Sequence, residues 1–269
     1  MPYCTNNGVR SYYEVSGEGP AMVLIHANPY DHNLFFYQIA HFSTWFKVIA
    51  VDTRGYGRSD IVTTPYTLGD MAADAFAICR QEGVESAIVG GVSVGSGIAM
   101  LMALDRPDFC RACILVGGSS EKAKEPQDPP ETMRLFLEQG RRGRHRSYIE
   151  GLVAPSFPKT PMGRYLFDVV IEKGEYFGWT AEGICEVMRA RRGTNLTARL
   201  PTMKVPTLVI NGEHDHSLRG GTRTASLVPG ARHVILKGAG HACNIEDPAA
   251  FDAAVLAFLR DNKLLPEIG

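Results

Sequence analysis

The stretch Gly91-Val92-Ser93-Val94-Gly95 decides how the rest of the chain is read, because it stands where an apolar run, Ser86 to Val92, gives way to small and helix-forming residues, Ser96 through Ala103. The pattern predicts a strand that turns sharply into a helix, with a serine at the bend. Glycine at each end of the five suits that geometry, since a Cβ at either position would run into the adjoining backbone. The bend holds the Ser93 hydroxyl clear of the sheet, and it sets the Val94 N–H at a helix N-terminus, where negative charge is favoured. One short stretch thus offers a candidate nucleophile and half of an oxyanion hole. G-x-S-x-G is a common string, so its weight comes from its context.

Outward from this bend, apolar β-branched segments recur with helical stretches between them, the pattern of a parallel sheet covered on both faces. Residues 21–25 run into His26, 46–51 into Asp52, and 87–89 into the bend. Segments 113–116 and 207–210 follow, with 233–236 as a sixth strand and 10–15 as an antiparallel start. Thr67-Leu68-Gly69-Asp70 reads as a capping box ahead of Met71, Ala75, Ile78 and Cys79 at helical spacing. From about 121 to 204 the strand pattern stops, replaced by prolines and by amphipathic segments such as 131–139 and 180–191. The expected fold is α/β: a mostly parallel, doubly wound sheet built from 1–120 and 205–269, with 121–204 inserted as a helical cap.

The composition is that of a globular chain. Of 269 residues, 45% are hydrophobic and 21% charged, which excludes a largely disordered protein, and the net charge of −1 gives no reason to expect a nucleic-acid partner. The longest apolar runs are strand-sized, and Met1-Pro2-Tyr3-Cys4 lacks the basic-then-apolar pattern of a signal peptide. No membrane association and a cytoplasmic location are therefore expected. The six cysteines are scattered through apolar segments, and Cys110 and Cys113 form a C-x-x-C without the second pair that zinc would need. They read as buried, inert thiols, with neither disulfides nor a metal site. The expected cap carries 15 Lys and Arg against 11 Asp and Glu, while the remainder carries 13 against 18. A basic lid would favour an anionic substrate; the plainer reading of a run such as Arg141-Arg142-Gly143-Arg144 is a solvated helix face.

In a parallel sheet, reactive groups belong just past the carboxyl ends of the strands. Ser93 follows the third strand, Asp215 follows 207–210 in Asn211-Gly212-Glu213-His214-Asp215, and His241 follows the last strand in Lys237-Gly238-Ala239-Gly240-His241. Each type suits a role. A serine hydroxyl is a weak nucleophile at neutral pH, so His241 would accept its proton during attack and later return it to the leaving group. Asp215 would fix the imidazole in the productive tautomer, with Glu213, His214 and His216 as neighbouring rivals and Glu121 as a reserve acid. The second oxyanion donor is expected from His26-Ala27-Asn28-Pro29, with the backbone N–H of Asn28 converging on that of Val94. His26 reads as an anchor of that loop. A pocket between the bend and the cap would take Tyr30, Phe136, Phe157 and Trp179 as substrate-binding residues, with Tyr176 and Phe177 beside them; cap core is the alternative role for each. His32, His41, His145 and His233 have no partner legible in the sequence.

These residues resemble the α/β-hydrolase family, and the likeness spans nearly all of the chain except the cap. It is carried by His26-Ala27-Asn28-Pro29, Asp52-Thr53-Arg54-Gly55-Tyr56-Gly57-Arg58-Ser59, the Ser93 bend, Gly212-Glu213-His214-Asp215 and Gly240-His241. Asp52 to Ser59, followed by Pro65-Tyr66-Thr67-Leu68, resembles the 3-oxoadipate enol-lactonase and esterase branch. The family usually has glycine where Ala27 stands. The His-x-Asn-Pro loop is also similar to that of haloalkane dehalogenases, but those use a carboxylate nucleophile where this chain has Ser93. The resemblance implies a cofactor-independent serine hydrolase that opens a small-molecule carboxylic ester or lactone through an acyl-enzyme. Three alternatives share the same residues: a carbon–carbon bond hydrolase of a vinylogous diketone, a perhydrolase, and a receptor-like protein that captures a small lactone. Whether the chain forms a homodimer is not legible at this level.

Overall fold

A computed structural model describes residues 2–121, 146–147, 149–171 and 180–267. Eight strands form one sheet: β1 (Tyr3–Asn6), β2 (Val9–Ser16), β3 (Ala21–Ile25), β4 (Lys47–Val51), β5 (Ala87–Val92), β6 (Cys110–Val116), β7 (Thr207–Gly212) and β8 (Arg232–Leu236), in the order β1-β2-β4-β3-β5-β6-β7-β8. β1 pairs antiparallel with β2, and β2 with β4; every pairing from β4 to β8 is parallel. The six expected parallel strands are all present, and the antiparallel start at 10–15 lies within β2. β1 is an addition. It is set by Asn7-Gly8, where both residues have positive φ, 48° and 79°, the backbone of a tight hairpin turn.

Every residue of β3, β5 and β7 is buried, as a strand covered on both faces requires. Helix α1 (Phe36–Phe42) packs with the final helix Pro248–Asp261, while α2 (Leu68–Gln81) packs on α3 (Val94–Asp105), which lies along β5 and β6. The capping box that starts α2 is formed in both directions: the Asp70 N–H donates to Thr67 Oγ1 at 3.2 Å, and the Thr67 N–H donates to Asp70 Oδ2 at 2.8 Å. Met71, Ala75, Ile78 and Cys79 face the core as their spacing demands. Cross-strand register then brings the carboxyl ends to one edge, with Ile25 opposite Gly91, Val92 opposite Val116, Val116 opposite Ile210 and Gly212 opposite Leu236.

Between β6 and β7 the described residues form helices and no strand. The helix expected at 180–191 is Ala181–Arg192, begun by Thr180, whose hydroxyl accepts the Gly183 N–H at 3.0 Å. The segment 131–139 lies outside the described residues. Arg191 Nη2 fastens the helix to the start of the insertion by donating to the carbonyls of Ser119 (2.8 Å) and Glu121 (2.9 Å). Among the described residues no helix is long and apolar enough to cross a membrane. All six cysteines are buried and none forms a disulfide, and burial pushes the Cys79 and Cys110 thiols up to about 12.

Two buried polar clusters brace the loops at the carboxyl edge. After β3, His26 is fully buried, and burial lowers its pKa to about 4 against the opposing pull of Asp52, so the ring is neutral. Its Nε2 accepts the Thr53 N–H at 3.0 Å and its Nδ1 donates to the Ala27 carbonyl at 2.8 Å, the anchoring role expected of it. Asp52 takes the His32 N–H (2.8 Å), His32 Nδ1 (2.7 Å) and the Arg58 N–H (2.9 Å). Burial would raise the Asp52 pKa, but the His32 hydrogen bond and charge outweigh it and hold the carboxyl low. At Asp31, capping the turn His32–Phe35, burial together with the charge of Asp52 outweighs the pull of His32 and of two Asn33 hydrogen bonds and raises the carboxyl to about 6. After β4, Arg54 meets Asp74 in a buried two-pronged pair, Nε to Oδ2 at 2.8 Å and Nη2 to Oδ1 at 2.9 Å, with Asn6 Nδ2 adding a third donor at 2.9 Å.

Removing one member of that pair strands the other. Arg54→Leu is expected to cost about 3–5 kcal/mol in urea unfolding, and the double change Arg54→Leu with Asp74→Leu to recover most of it. Asp31 works in the opposite sense. Because its folded pKa lies above the unfolded value of 3.8, the ionised carboxylate weakens the fold at neutral pH, and the penalty disappears as protons bind below about pH 6. Asp31→Asn, which does not titrate, is expected to be more stable than the parent at about pH 7 by up to roughly 3 kcal/mol, with the advantage fading towards about pH 4. Unfolding midpoints at the two pH values measure this difference.

Candidate functional site

Ser93 closes β5 with φ 55° and ψ −112°, a left-handed conformation that a residue with a Cβ adopts only under constraint. The constraint is visible on both sides. A Cβ at Gly91 would overlap the Gly95 carbonyl, and one at Gly95 would overlap the carbonyl of Ile25 at the end of β3, so backbone meets backbone at both glycines. The Ser93 N–H donates to the Val116 carbonyl at 2.8 Å, tying the bend to the end of β6. Val94 opens α3, so its N–H belongs to the first turn and has no intrahelical acceptor. The same contact with Ile25 seats Val94 beside the loop that carries Asn28. The Asn28 side chain is fixed there by the Tyr56 hydroxyl, which donates to Oδ1 at 2.6 Å.

Asp215 and His241 come together directly. The exits of β7 and β8 are joined by the His214 N–H, which donates to the Ala239 carbonyl at 2.9 Å, and His241 Nδ1 lies 2.7 Å from Asp215 Oδ1. Both residues are buried, at 5% and 3% exposure. Asp215 Oδ1 also accepts the Ser217 N–H at 2.7 Å and the Ser217 hydroxyl at 2.8 Å, and Oδ2 accepts Asn211 Nδ2 at 2.8 Å. Burial pushes the carboxyl up, but the His241 hydrogen bond and charge, joined by Asn211 and Ser217, hold it well below the usual carboxylate range. An ionised Asp215 takes the Nδ1 proton as its partner, which leaves Nε2 as the basic nitrogen of a neutral ring.

The His241 ring rests on the end of β6: a Cβ at Gly117 would sit 2.9 Å from both Cε1 and Nδ1. Ser93, bonded to Val116, and His241, packed on Gly117, thus flank the same turn of chain. Among the described residues the Ser93 hydroxyl accepts and donates no hydrogen bond. Of the other expected site residues, Tyr30 is buried at 2% exposure, with its N–H on the Ala27 carbonyl at 2.8 Å and its phenol pKa raised by burial. Phe157 is buried in the insertion, and its N–H reaches the Ala154 carbonyl at 2.9 Å. Phe136 and Trp179 lie outside the described residues. Glu121 pairs with Arg223 at 2.8 Å, and the carboxylate on His241 Nδ1 is that of Asp215.

Several neighbours of the site have contacts that the sequence does not show. Asn211 and Ser217 hold the Asp215 carboxylate, and His233 Nε2 in turn contacts Asn211 Oδ1 at 3.0 Å. The exposed ring of His216 lies against that of His241, centroids 4.3 Å apart. Asn211, His216 and Ser217 lie within four residues of Asp215 at spacings that carry no motif, and the parallel pairing of β7 with β8 brings His233 and His241 to them. Histidine and carboxylate atoms gather closely enough to consider a metal at Asp215, His216 and His241 and again at Asp31, His32 and Asp52. In both groups the close histidine–aspartate contact, 2.7 Å, is already a hydrogen bond, and the carboxylates are further occupied by backbone N–H groups.

Residues 20–248 match the family described as alpha/beta hydrolase fold. The chain is 26% identical over 276 residues to the AB hydrolase superfamily protein YisY of Bacillus subtilis, covering 94% of this chain and 97% of that one. It is 25% identical over 262 residues to 3-oxoadipate enol-lactonase 2 of Acinetobacter baylyi, covering 95% of each. The crystal structure of the enol-lactonase from Burkholderia xenovorans LB400 superposes with a TM-score of 0.82 at 26% identity, over 96% of this chain and 100% of that one. A strained serine at the end of β5 and a buried histidine–aspartate pair past β7 and β8 thus stand in a chain that belongs to the α/β-hydrolase fold family and is one of its hydrolases.

Proposed function

We propose that the chain cleaves a small carboxylic ester or lactone without a cofactor, through an acyl-enzyme on Ser93. The observation that carries this reading is the buried Asp215–His241 pair, with Nδ1 committed to the carboxylate, on the same turn of β6 that anchors the strained serine. In the first half of the reaction His241 Nε2 takes the Ser93 proton as Oγ attacks the carbonyl carbon. Asp215 stabilises the imidazolium by its charge and by fixing the ring. The developing oxyanion is received by the N–H of Val94 at the start of α3 and by that of Asn28, and each such donor supplies about 2.7–4 kcal/mol. The tetrahedral intermediate collapses, the imidazolium returns its proton to the leaving alkoxide, and the acyl group stays on Ser93. Water, activated by the same nitrogen, then releases the acid. In a lactone the alcohol stays tethered to the acyl chain, so the product is a single hydroxy acid.

Residues 121–204 act in this reading as a cap over the carboxyl edge, with Tyr30 and Phe157 among the residues that shape the substrate cavity. Ester and lactone cleavage is supported by the likeness to enol-lactonases over nearly the whole chain.

Ser93→Ala is expected to lower kcat/KM for p-nitrophenyl acetate by about 10⁴-fold or more with an unchanged circular dichroism spectrum. Wild-type turnover in that variant, at matched purity, would overturn the assignment. The pH profile has a defined sign. Asp215 is held well below the usual carboxylate range, so the charge that orients the ring is kept on acidification. A general base works only in its unprotonated form, so activity is expected to fall on acidification, and a flat profile between about pH 8 and about pH 5 would remove His241 as the base.

A further inference from the structure

Gly240 immediately precedes His241, and a Cβ there would lie 2.5 Å from the amide nitrogen of Ala154 and 2.7 Å from the carbonyl carbon of Val153. The loop that carries His241 therefore runs in backbone contact with residues 152–154, a part of the insertion far away in sequence. Three hydrogen bonds close the contact. The His241 N–H donates to the Leu152 carbonyl at 2.7 Å. Glu246, on the short helix Cys243–Glu246 that follows His241, supplies the other two acceptors: Oε2 takes the Ala154 N–H at 2.8 Å, and Oε1 takes the Gly240 N–H at 3.0 Å. One carboxylate thus holds an amide of each segment.

The surroundings make this arrangement consequential. Val153 and Ala154 are buried, so their backbone has little freedom to find solvent instead. Hydrogen bonds to an ionised acceptor are roughly twice as strong as neutral ones. Burial raises the Glu246 pKa, and the two amides act against that rise, as they would for a carboxylate kept charged to receive them. Each of these contacts bears on the placement of His241 rather than on its chemistry.

We propose that Glu246 is a positioning residue that locks residues 152–154 of the insertion to the His241 loop, so that the imidazole keeps its working orientation only while that segment is seated. The proposal rests on the triad reading given above, since it assigns Glu246 a role through His241. A glutamine of the same shape offers one acceptor and turns an NH2 group against the second amide, which leaves one N–H of the clamp unmatched.

The test compares wild type, Glu246→Gln and, as a control, Ser93→Ala. Four quantities are read: kcat and KM for p-nitrophenyl acetate, the rate of inactivation by a fluorophosphonate, the thermal midpoint, and hydrogen exchange in peptides covering 149–157 and 238–242. In folded Glu246→Gln, kcat and the inactivation rate are expected to fall together by about 10- to 100-fold with KM within about twofold. Exchange should rise in both peptides. Unchanged kcat and inactivation rate in that variant, whatever its thermal midpoint, would overturn the proposal, as would faster exchange in only one peptide. If Glu246→Gln does not fold, amide exchange in the wild type decides: Gly240 and Ala154 must open with the same free energy, and different values would overturn the clamp. Failure of the function itself looks different, because wild type would then show no turnover, or Ser93→Ala would keep it, while the exchange results would still report on the clamp.

Discussion

A serine can be held at φ 55° and ψ −112° only where the chain on either side has no room to relax, and this molecule denies that room with bare backbone. Gly91 abuts the carbonyl of Gly95, Gly95 abuts that of Ile25, and the Ser93 N–H is taken by Val116. The bend is therefore a junction of β3, β5 and β6 as much as a turn. Everything else at the carboxyl edge is placed relative to it: the start of α3, the loop after β3, and the end of β6 on which the His241 ring lies. The parallel register supplies the rest, because strands that end level with one another deliver their loops to one side.

Much of this could be read from the residues. The six parallel strands announce themselves as short apolar runs, each ending in a polar or small residue, and the capping box at Thr67 is spelled out in four letters. Ser93, Asp215 and His241 stand out because each lies just past such a run. What stayed hidden has a common cause. The partners of His32, His41 and His233 are Asp52, Asp252 and Asn211, separated by twenty or more residues, and a hydrogen bond across that span leaves no trace in spacing. Asn211 and Ser217 look like ordinary loop residues until the carboxylate they hold is in view. The hairpin at the N-terminus is a different case: Asn7-Gly8 is a strong turn signal, but the segment ahead of it, Tyr3–Asn6, is four residues long, too short a run to stand out as a strand.

The polar groups at this edge are sorted by how their charge is met. Asp215 and Asp52 are each buried, yet each has a histidine and at least one backbone amide to receive, and both are held low. Asp31 has fewer donors and is raised; His26 hydrogen-bonds only to neutral groups, and burial outweighs the charge of Asp52 and keeps it uncharged. Burial alone would neutralise all four. The difference lies in the number and kind of donors that the fold turns towards each carboxylate, which is decided by where the loops cross.

The six thiols, all buried and spread over β1, α2, β6 and the helices of the second half, have a practical corollary. A maleimide finds no native thiol at the surface of the folded protein. A single cysteine introduced on an exposed position would accordingly take up a fluorophore or spin label by itself, with the endogenous six left in place.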